Sequence, residues 1–187
     1  MPTATEVLKK EHQAILKMVE ASETVAGRLR QGEKVQPEIL NTFHEFFQVF
    51  TDQCHHGKEE EIFYPLLETR GVPKEGGPIG VMFDEHELGR ILVRQMREAG
   101  EAYASGSEGS GESWAQTAEE YGALLRSHIF KEDQVLFPMA ERVLSGGELE
   151  SVAEDFEKLE VEKMGVGTHE LLHAKMAKLL EEVYALK

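Results

Sequence analysis

Two stretches of the chain repeat one pattern, and this repeat constrains the fold more than any other feature. Each contains a histidine, a glutamate four residues later, a further acidic residue, an apolar pair and a proline. The first pair is His55 with Glu59, and the second is His128 with Glu132. A spacing of four residues places both side chains on one face of an α-helix, about 6 Å apart along the axis. Because an unpaired buried carboxylate costs several kcal/mol, burial of these faces requires a shared partner for both.

The rest of the chain also has helical periodicity, with apolar residues recurring at steps of three and four. Thr3 and Glu6 form a capping-box pattern before the first helix. Pro37 and Pro78 stand where the second and third helices are expected to start. A Ser- and Gly-rich segment over residues 104–112 predicts a flexible loop before the fourth. The remaining predicted helix starts are Ser113, Ser145 and Thr168.

Four long helices followed by two shorter ones predict an all-α fold. The expected arrangement is an up-down four-helix bundle with two additional C-terminal helices. We expect the bundle and its site to occupy residues 1–145, and a C-terminal helical extension packed on the bundle to occupy residues 146–187. Pro65 and Pro138 each remove an intrahelical hydrogen bond, and are expected to bend their helices just past the repeated pattern.

The charge and composition exclude several classes of partner. The chain has 35 Asp and Glu against 20 Lys and Arg, a formal net charge of -15, which argues against nucleic acid or an anionic membrane as partner. No apolar run approaches the roughly 20 residues of a membrane helix, and the first residues lack the features of a secretion signal. The single cysteine, Cys54, fits a reducing compartment. We therefore expect a cytoplasmic protein with no nucleic-acid or membrane partner.

The two His–Glu pairs and two further histidines form a candidate metal-binding set. His12 lies on the predicted first helix, and His86 on the third. His12 and His55 lie about 30 Å and 28 Å along their helices from the turn that joins them, so both reach the same level. The alternative is a metal-free network of buried His–Glu hydrogen bonds. The predicted metal ligands are His12, His55, Glu59, His86, His128 and Glu132.

The donor types favour a dinuclear centre of iron. Carboxylate and imidazole suit iron or manganese, whereas a structural zinc site is closed and tetrahedral. Two six-coordinate irons offer about twelve positions, of which two bridging glutamates, four imidazoles and an oxo or hydroxo bridge fill all but about two. We therefore predict two iron ions, with manganese or zinc as substitutes, and O2, H2O2 or NO as small ligands at the open positions.

With these motifs, residues 3–142 resemble the hemerythrin-like, or HHE cation-binding, proteins. The order is His, then His-x-x-x-Glu, then His, then His-x-x-x-Glu, with Phe-Tyr-Pro or Leu-Phe-Pro after each pair. The resemblance implies the same six ligands and a non-haem di-iron site. It also implies that the site binds or senses dioxygen, reactive oxygen or nitric oxide, or detoxifies them during oxidative and nitrosative stress.

One position departs from the oxygen carriers of this family, which have a second histidine four residues after that of the third helix. Here His86 is followed by Arg90, as in a bacterial subset with His-x-x-x-Arg. Arg90 could stabilise a bound anionic peroxide, hydrogen-bond Glu59 or Glu132, or extend along the bundle to solvent.

Because the fifth imidazole is missing, one metal position is expected to be open. Two other activities are therefore alternatives to binding or sensing. One is a redox enzyme that resembles a catalase or peroxidase, or that reduces nitric oxide. The other is an iron donor for the repair of damaged clusters.

Other residues near the motifs are expected to be solvated or core residues, with a role at the metals as the alternative. Those expected in solvent are His56, Glu60, Glu61 and Glu85. Those expected in the core are Cys54, Tyr64 and Tyr121. His169 and His173, four residues apart on the last predicted helix, could bind a separate cation or supply a missing imidazole.

Overall fold

The computed structural model describes residues 1–165 and 167–185, without the side chains of Met164, His169 and Glu170. The described residues are helical almost throughout and contain no strand, which confirms the all-α prediction. Over these ranges we number six helices. They are α1 (Ala4–Arg30), α2 (residues 37–69), α3 (Pro78–Ala104), α4 (residues 110–143), α5 (Gly146–Met164) and α6 (Thr168–Ala185).

Two of the helices begin with a capping box. The Thr3 hydroxyl accepts the backbone N–H of Glu6, whose carboxylate accepts the backbone N–H of Thr3 at 2.8 Å. Ser145 and Glu148 make the same exchange at the start of α5. Each box satisfies backbone donors that the first turn of a helix leaves without partners, so both helix starts are confirmed.

Helix α4 begins earlier than predicted. It starts at Ser110 after Gly109, whose positive φ of 76° closes the preceding turn. Ser113, the predicted cap, is inside the helix, where its hydroxyl donates to the carbonyl oxygen of Gly109 at 3.2 Å. The prediction was wrong because a left-handed glycine can end a turn without any capping side chain.

Helices α2 and α4 are not α-helical throughout. Helix α2 contains π-helical segments over Phe46–His56 and Glu59–Phe63, and α4 contains one over Glu132–Leu136. The last two start at the glutamate of a repeated motif and end two residues before Pro65 or Pro138. Proline lacks an N–H and its ring crowds the carbonyl four residues earlier, so a wider turn relieves both problems.

The long helices contact one another in pairs around a common interior. Helix α1 packs on α4, α4 on α3, α3 on α2, and the π-helical middle of α2 on α1. Helices α5 and α6 both pack on α1 and on this part of α2. They also add residues to the same apolar clusters as the long helices. The domain boundary at residue 145 stays a prediction.

The interior consists of two apolar clusters. One is built from the C-terminal parts of α1 and α3, the N-terminal parts of α2 and α4, and α6, and includes Phe47, Trp114 and Tyr121. The other includes Leu8, Phe63, Leu136 and several residues of α5. In α1, α2 and α3 the predicted ligands lie between the residues assigned to the two clusters; in α4 Glu132 does so, and His128 directly precedes Ile129 of the first cluster. The candidate site is thus a polar layer between two apolar layers.

Within the residues that the structure describes, no helix combines the length and the apolar composition that crossing a bilayer requires.

Replacing Phe47 with alanine tests the larger apolar cluster. Phe47 is fully buried, and its ring lies 4.8 Å from that of Tyr121 and 6.3 Å from that of Phe43. We expect Phe47→Ala to lower the free energy of unfolding by about 3–5 kcal/mol, measured by urea denaturation. Phe130→Ala is the matched control, because Phe130 is 65% exposed, and should change it by less than about 0.5 kcal/mol. Equal losses in both variants would contradict this assignment of the core.

Candidate metal centre

The structure brings all six predicted ligands together in the polar layer. Each has at most 2% of its surface exposed. They come from four different helices. The spacing of residues within one helix does not show that these helices converge. The six are His12, His55, Glu59, His86, His128 and Glu132.

Glu59 lies between histidines of two helices. Its Oε1 is 3.6 Å from Nε2 of His55, on its own helix α2, and its Oε2 is 3.5 Å from Nε2 of His86, on α3. Neither oxygen has a hydrogen-bond donor among the described residues. One carboxylate that faces two imidazoles in this way can bridge two cations.

Glu132 also lies between histidines of two helices, α1 and α4. Its Oε2 is 3.2 Å from Nε2 of His12 and 3.3 Å from Nε2 of His128. Its Oε1 accepts the hydroxyl of Tyr64, a fully buried side chain. Tyr64, predicted as a core residue, therefore also contacts the site.

The outward nitrogen of each histidine is held by an acidic side chain. The four Nδ1 atoms lie 2.6–2.9 Å from a carboxylate oxygen. Because a carboxylate only accepts hydrogen bonds, Nδ1 carries the proton and Nε2 presents its lone pair to the interior. Acids in this position orient the ligands of many metal sites. The pairs are His12 with Asp133, His55 with Glu11, His86 with Glu60, and His128 with Glu85.

When the imidazoles are neutral and both glutamates are ionised, as cation binding requires, the interior of the site contains acceptors facing acceptors. Nε2 of His12 is 3.1 Å from Nε2 of His55, and Nε2 of His86 is 3.1 Å from Nε2 of His128. Leaving buried acceptors without donors costs several kcal/mol, and their lone pairs repel one another. Cations among the Nε2 and carboxylate atoms would remove both costs, so the residues present fit a metal centre.

The two glutamates affect each other's protonation. Burial raises the pKa of Glu59 well above its usual range, and the negative charge of Glu132 raises it further. Burial also acts to raise the pKa of Glu132, but His128 and His12 outweigh it and hold the value low. For His12, the carboxylates of Asp133 and Glu132 overcome the effect of burial and raise the pKa to about 9.

His56 is not solvated, contrary to the prediction. It is 3% exposed, and its ring stacks on that of His86 with centroids 3.8 Å apart. Its Nδ1 lies 3.4 Å from Oδ1 of Asp52. The prediction assumed regular α-helical geometry, in which adjacent residues point in clearly different directions, but His56 lies in a π-helical segment with a wider turn.

Arg90 contacts acids around the site and has no contact with Glu59 or Glu132 among its hydrogen bonds and ion pairs. Its Nε is 2.8 Å from Asp52, and one terminal nitrogen is 2.8 Å from Glu60. These acids face the Nδ1 atoms of His56 and His86. Arg90 therefore holds the acids that orient two imidazoles.

Sequence reasoning missed a buried ion-pair chain on the opposite side. The Lys58 ammonium, 2% exposed, donates to Glu11 and lies 2.9 Å from Glu160 of α5. Burial acts to raise the pKa of Glu11, but its hydrogen bond to His55 and the charge of Lys58 lower it to about 2. The signal was a lysine inside the first repeated motif, where a buried charge requires an acidic partner.

The remaining predicted neighbours have different positions. Glu60 and Glu85, expected in solvent, face histidine Nδ1 atoms, whereas Glu61 pairs with Lys163 at the surface. Cys54 is buried, and burial raises its pKa to about 12. The His169 side chain lies outside the described residues, and His173 lies edge-to-face with the Phe50 ring at 5.4 Å.

A cleft of about 270 Å³ between α2 and α3 reaches the site at His56. Its lining includes three arginines and one acid, Asp52, in a chain whose net charge is strongly negative. The side chains that bear on the argument are those of His44, His56, Arg90, Arg94, Arg97 and Tyr121. A small molecule could approach the imidazoles by this route.

An all-helical protein with a buried cluster of histidines and glutamates belongs to the class of helical proteins that can hold metal ions in their interior. The model of the hemerythrin HHE cation binding domain matches residues 3–140. The chain belongs to this family.

Comparison with curated proteins gives three similar relatives. They are uncharacterized proteins of Mycobacterium bovis and of two strains of Mycobacterium tuberculosis. Each is 28% identical over 163 residues, which are 87% of this chain and 63% of the relative. The aligned part therefore spans less than two thirds of each relative.

Replacing Glu59 with glutamine should have opposite effects without and with metal. The neutral amide relieves the repulsion from Glu132, so the metal-free variant should be more stable by about 1 kcal/mol at pH 8. The same change removes a bridging carboxylate, so added iron(II) should no longer raise the melting temperature. Glu68→Gln, at an exposed position of the same helix, should leave both quantities unchanged. Iron-dependent stabilisation of Glu59→Gln equal to that of the unmodified protein would contradict the bridging position.

Arg90→Ala tests whether the outer acids orient the imidazoles. Removing the guanidinium frees Asp52 and Glu60, and we expect the affinity for iron(II) to fall by about 10- to 100-fold. Arg94→Ala is the control, because Arg94 lies one turn further along α3, is exposed and makes no ion pair with a described residue. Anaerobic titration measures both affinities, and equal values would exclude this role for Arg90.

Proposed function

We propose that this protein is an up-down four-helix bundle with a non-haem di-iron centre that binds or senses dioxygen, reactive oxygen or nitric oxide. The observation that carries the proposal is the buried layer in which Glu59 and Glu132 each face imidazoles of two different helices. Membership of the cation-binding family supports the same reading. When bound, the metal would supply redox chemistry and open coordination positions for small ligands.

Two ions fit the donors better than one. Potential ligand atoms fall into two groups in which all atoms lie within 4.8 Å of one another. One group contains His12, His55 and Glu132, the other contains His56, His86 and His128, and Glu59 belongs to both. Glu132 also lies 3.3 Å from His128 of the second group. We assign one pair of imidazoles to each ion and both glutamates as bridges. Imidazole and carboxylate together suit iron or manganese.

A second candidate is a redox enzyme that consumes peroxide or nitric oxide. Two observations favour it: the basic cleft that reaches His56, and the Tyr64 hydroxyl, which holds a proton beside Glu132. Iron donation to other proteins is the least supported candidate, because ligands that are at most 2% exposed do not favour release.

We further propose that the protein acts in the cytoplasm and that neither nucleic acid nor a membrane is its partner. The net charge of -15 supports the exclusion of both polyanions. The single cysteine, which is free and buried, is compatible with a reducing compartment.

Metal analysis and rapid mixing test the proposal. The protein loaded anaerobically with iron(II) should contain two irons per chain, and Glu132→Ala should lose them, whereas the exposed Glu141→Ala should not. On mixing with O2 or NO, a binding or sensing protein should give a coloured adduct that persists for minutes. Rapid oxidation without an adduct, together with O2 release from H2O2, would favour the enzyme. Two irons retained by Glu132→Ala would contradict the ligand assignment.

A further inference from the structure

His56 is buried beside the candidate ligands, as the four predicted histidine ligands are. It is buried, its ring is nearly parallel to that of His86 at an angle of 15°, and it lies edge-on to the His128 ring. One of its ring nitrogens lies within 4.8 Å of ligand atoms of Glu59, His86 and His128. Neither a solvated histidine nor a purely apolar core residue has such surroundings.

Asp52 gives His56 the outward partner that the other four imidazoles have. Asp52 faces Nδ1 of His56, which leaves Nε2 for the interior. The Nδ1–Asp52 distance of 3.4 Å is longer than those of the other four pairs.

Arg90, which stands where the oxygen carriers have a second histidine on the third helix, also contacts the acid that faces His56. Arg90 occupies the position four residues after His86, and its guanidinium binds both Asp52 and Glu60. It thereby fixes the acids behind the two stacked imidazoles, His56 and His86. The side chain at this position orients imidazoles and does not itself contact the carboxylates of the interior.

We infer that His56 is a fifth imidazole ligand of the metal centre, supplied by α2 beside His55. This inference rests on the proposed function, because it presupposes two ions. It gives the ion of His86 and His128 a third imidazole and leaves the ion of His12 and His55 with two. The position for a small ligand would therefore lie on the ion held by His12 and His55.

Cobalt(II) is a suitable probe, because its visible absorption reports the number and type of its ligands and it is less sensitive to air than iron(II). His56→Ala should change this spectrum and lower the affinity for the second ion by at least about tenfold. Added imidazole should restore the spectrum by entering through the cleft at residue 56. His44→Ala is the control, since His44 lines the same cleft about 18 Å further along the helix, and should behave as the unmodified protein.

The outcomes separate this inference from the proposed function. If the unmodified protein takes up fewer than two cobalt ions, the proposed function fails. If it takes up two and His56→Ala has the same spectrum and affinities, only the inference fails. His56→Gln retains most of the side-chain volume and stands in if the alanine variant does not fold. A glutamine variant with the spectrum of the unmodified protein would also overturn the inference.

Discussion

The structure depends on a buried polar layer in which imidazole nitrogens and two carboxylates face one another. Four imidazoles are tied outward through Nδ1 to carboxylates, so their Nε2 atoms point at one another and at Glu59 and Glu132. The apolar clusters on both sides keep this layer at most 2% exposed. The folded chain holds these groups against their repulsion. Because cations would relieve it, the free energy of metal binding adds to that of folding.

The acidic and basic side chains around the site explain how imidazoles from four helices keep fixed positions relative to one another. Acids hold the histidines, and cations such as Arg90, Lys58 and Lys131 hold several of the acids. The Lys58 chain also extends to Glu160, so helix α5 contacts this network as well as the apolar core. Residues far from the predicted motifs therefore contribute to the position of the imidazoles.

The helices, the shared face of each His–Glu pair and the common level of His12 and His55 could be predicted from sequence, because all three depend on spacing along a helix. A spacing of four residues puts His55 with Glu59 and His128 with Glu132 on one helical face whatever the tertiary contacts are. Residue counts from the connecting turn then placed His12 and His55 at one level. The role of the six residues as ligands stays a proposal, although the structure brings them together.

The positions of His56, the outer acids and the start of α4 could not be predicted, for physical reasons. The π-helical turns change which residues share a face, and only the two segments that end before Pro65 and Pro138 have a neighbouring proline to account for them. Glu11 and Glu85 come from neighbouring helices, so their contacts depend on rotation of one helix relative to another. Ser110 begins α4 because of the left-handed Gly109 and not because of a capping side chain.

A crystal structure of the iron-loaded protein, with anomalous scattering recorded at the iron absorption edge, is the most direct measurement of the central claim. The account predicts two peaks inside the polar layer, both in contact with the carboxylates of Glu59 and Glu132. A single peak, peaks outside this layer, or imidazoles whose Nε2 atoms point away from the ions would contradict it.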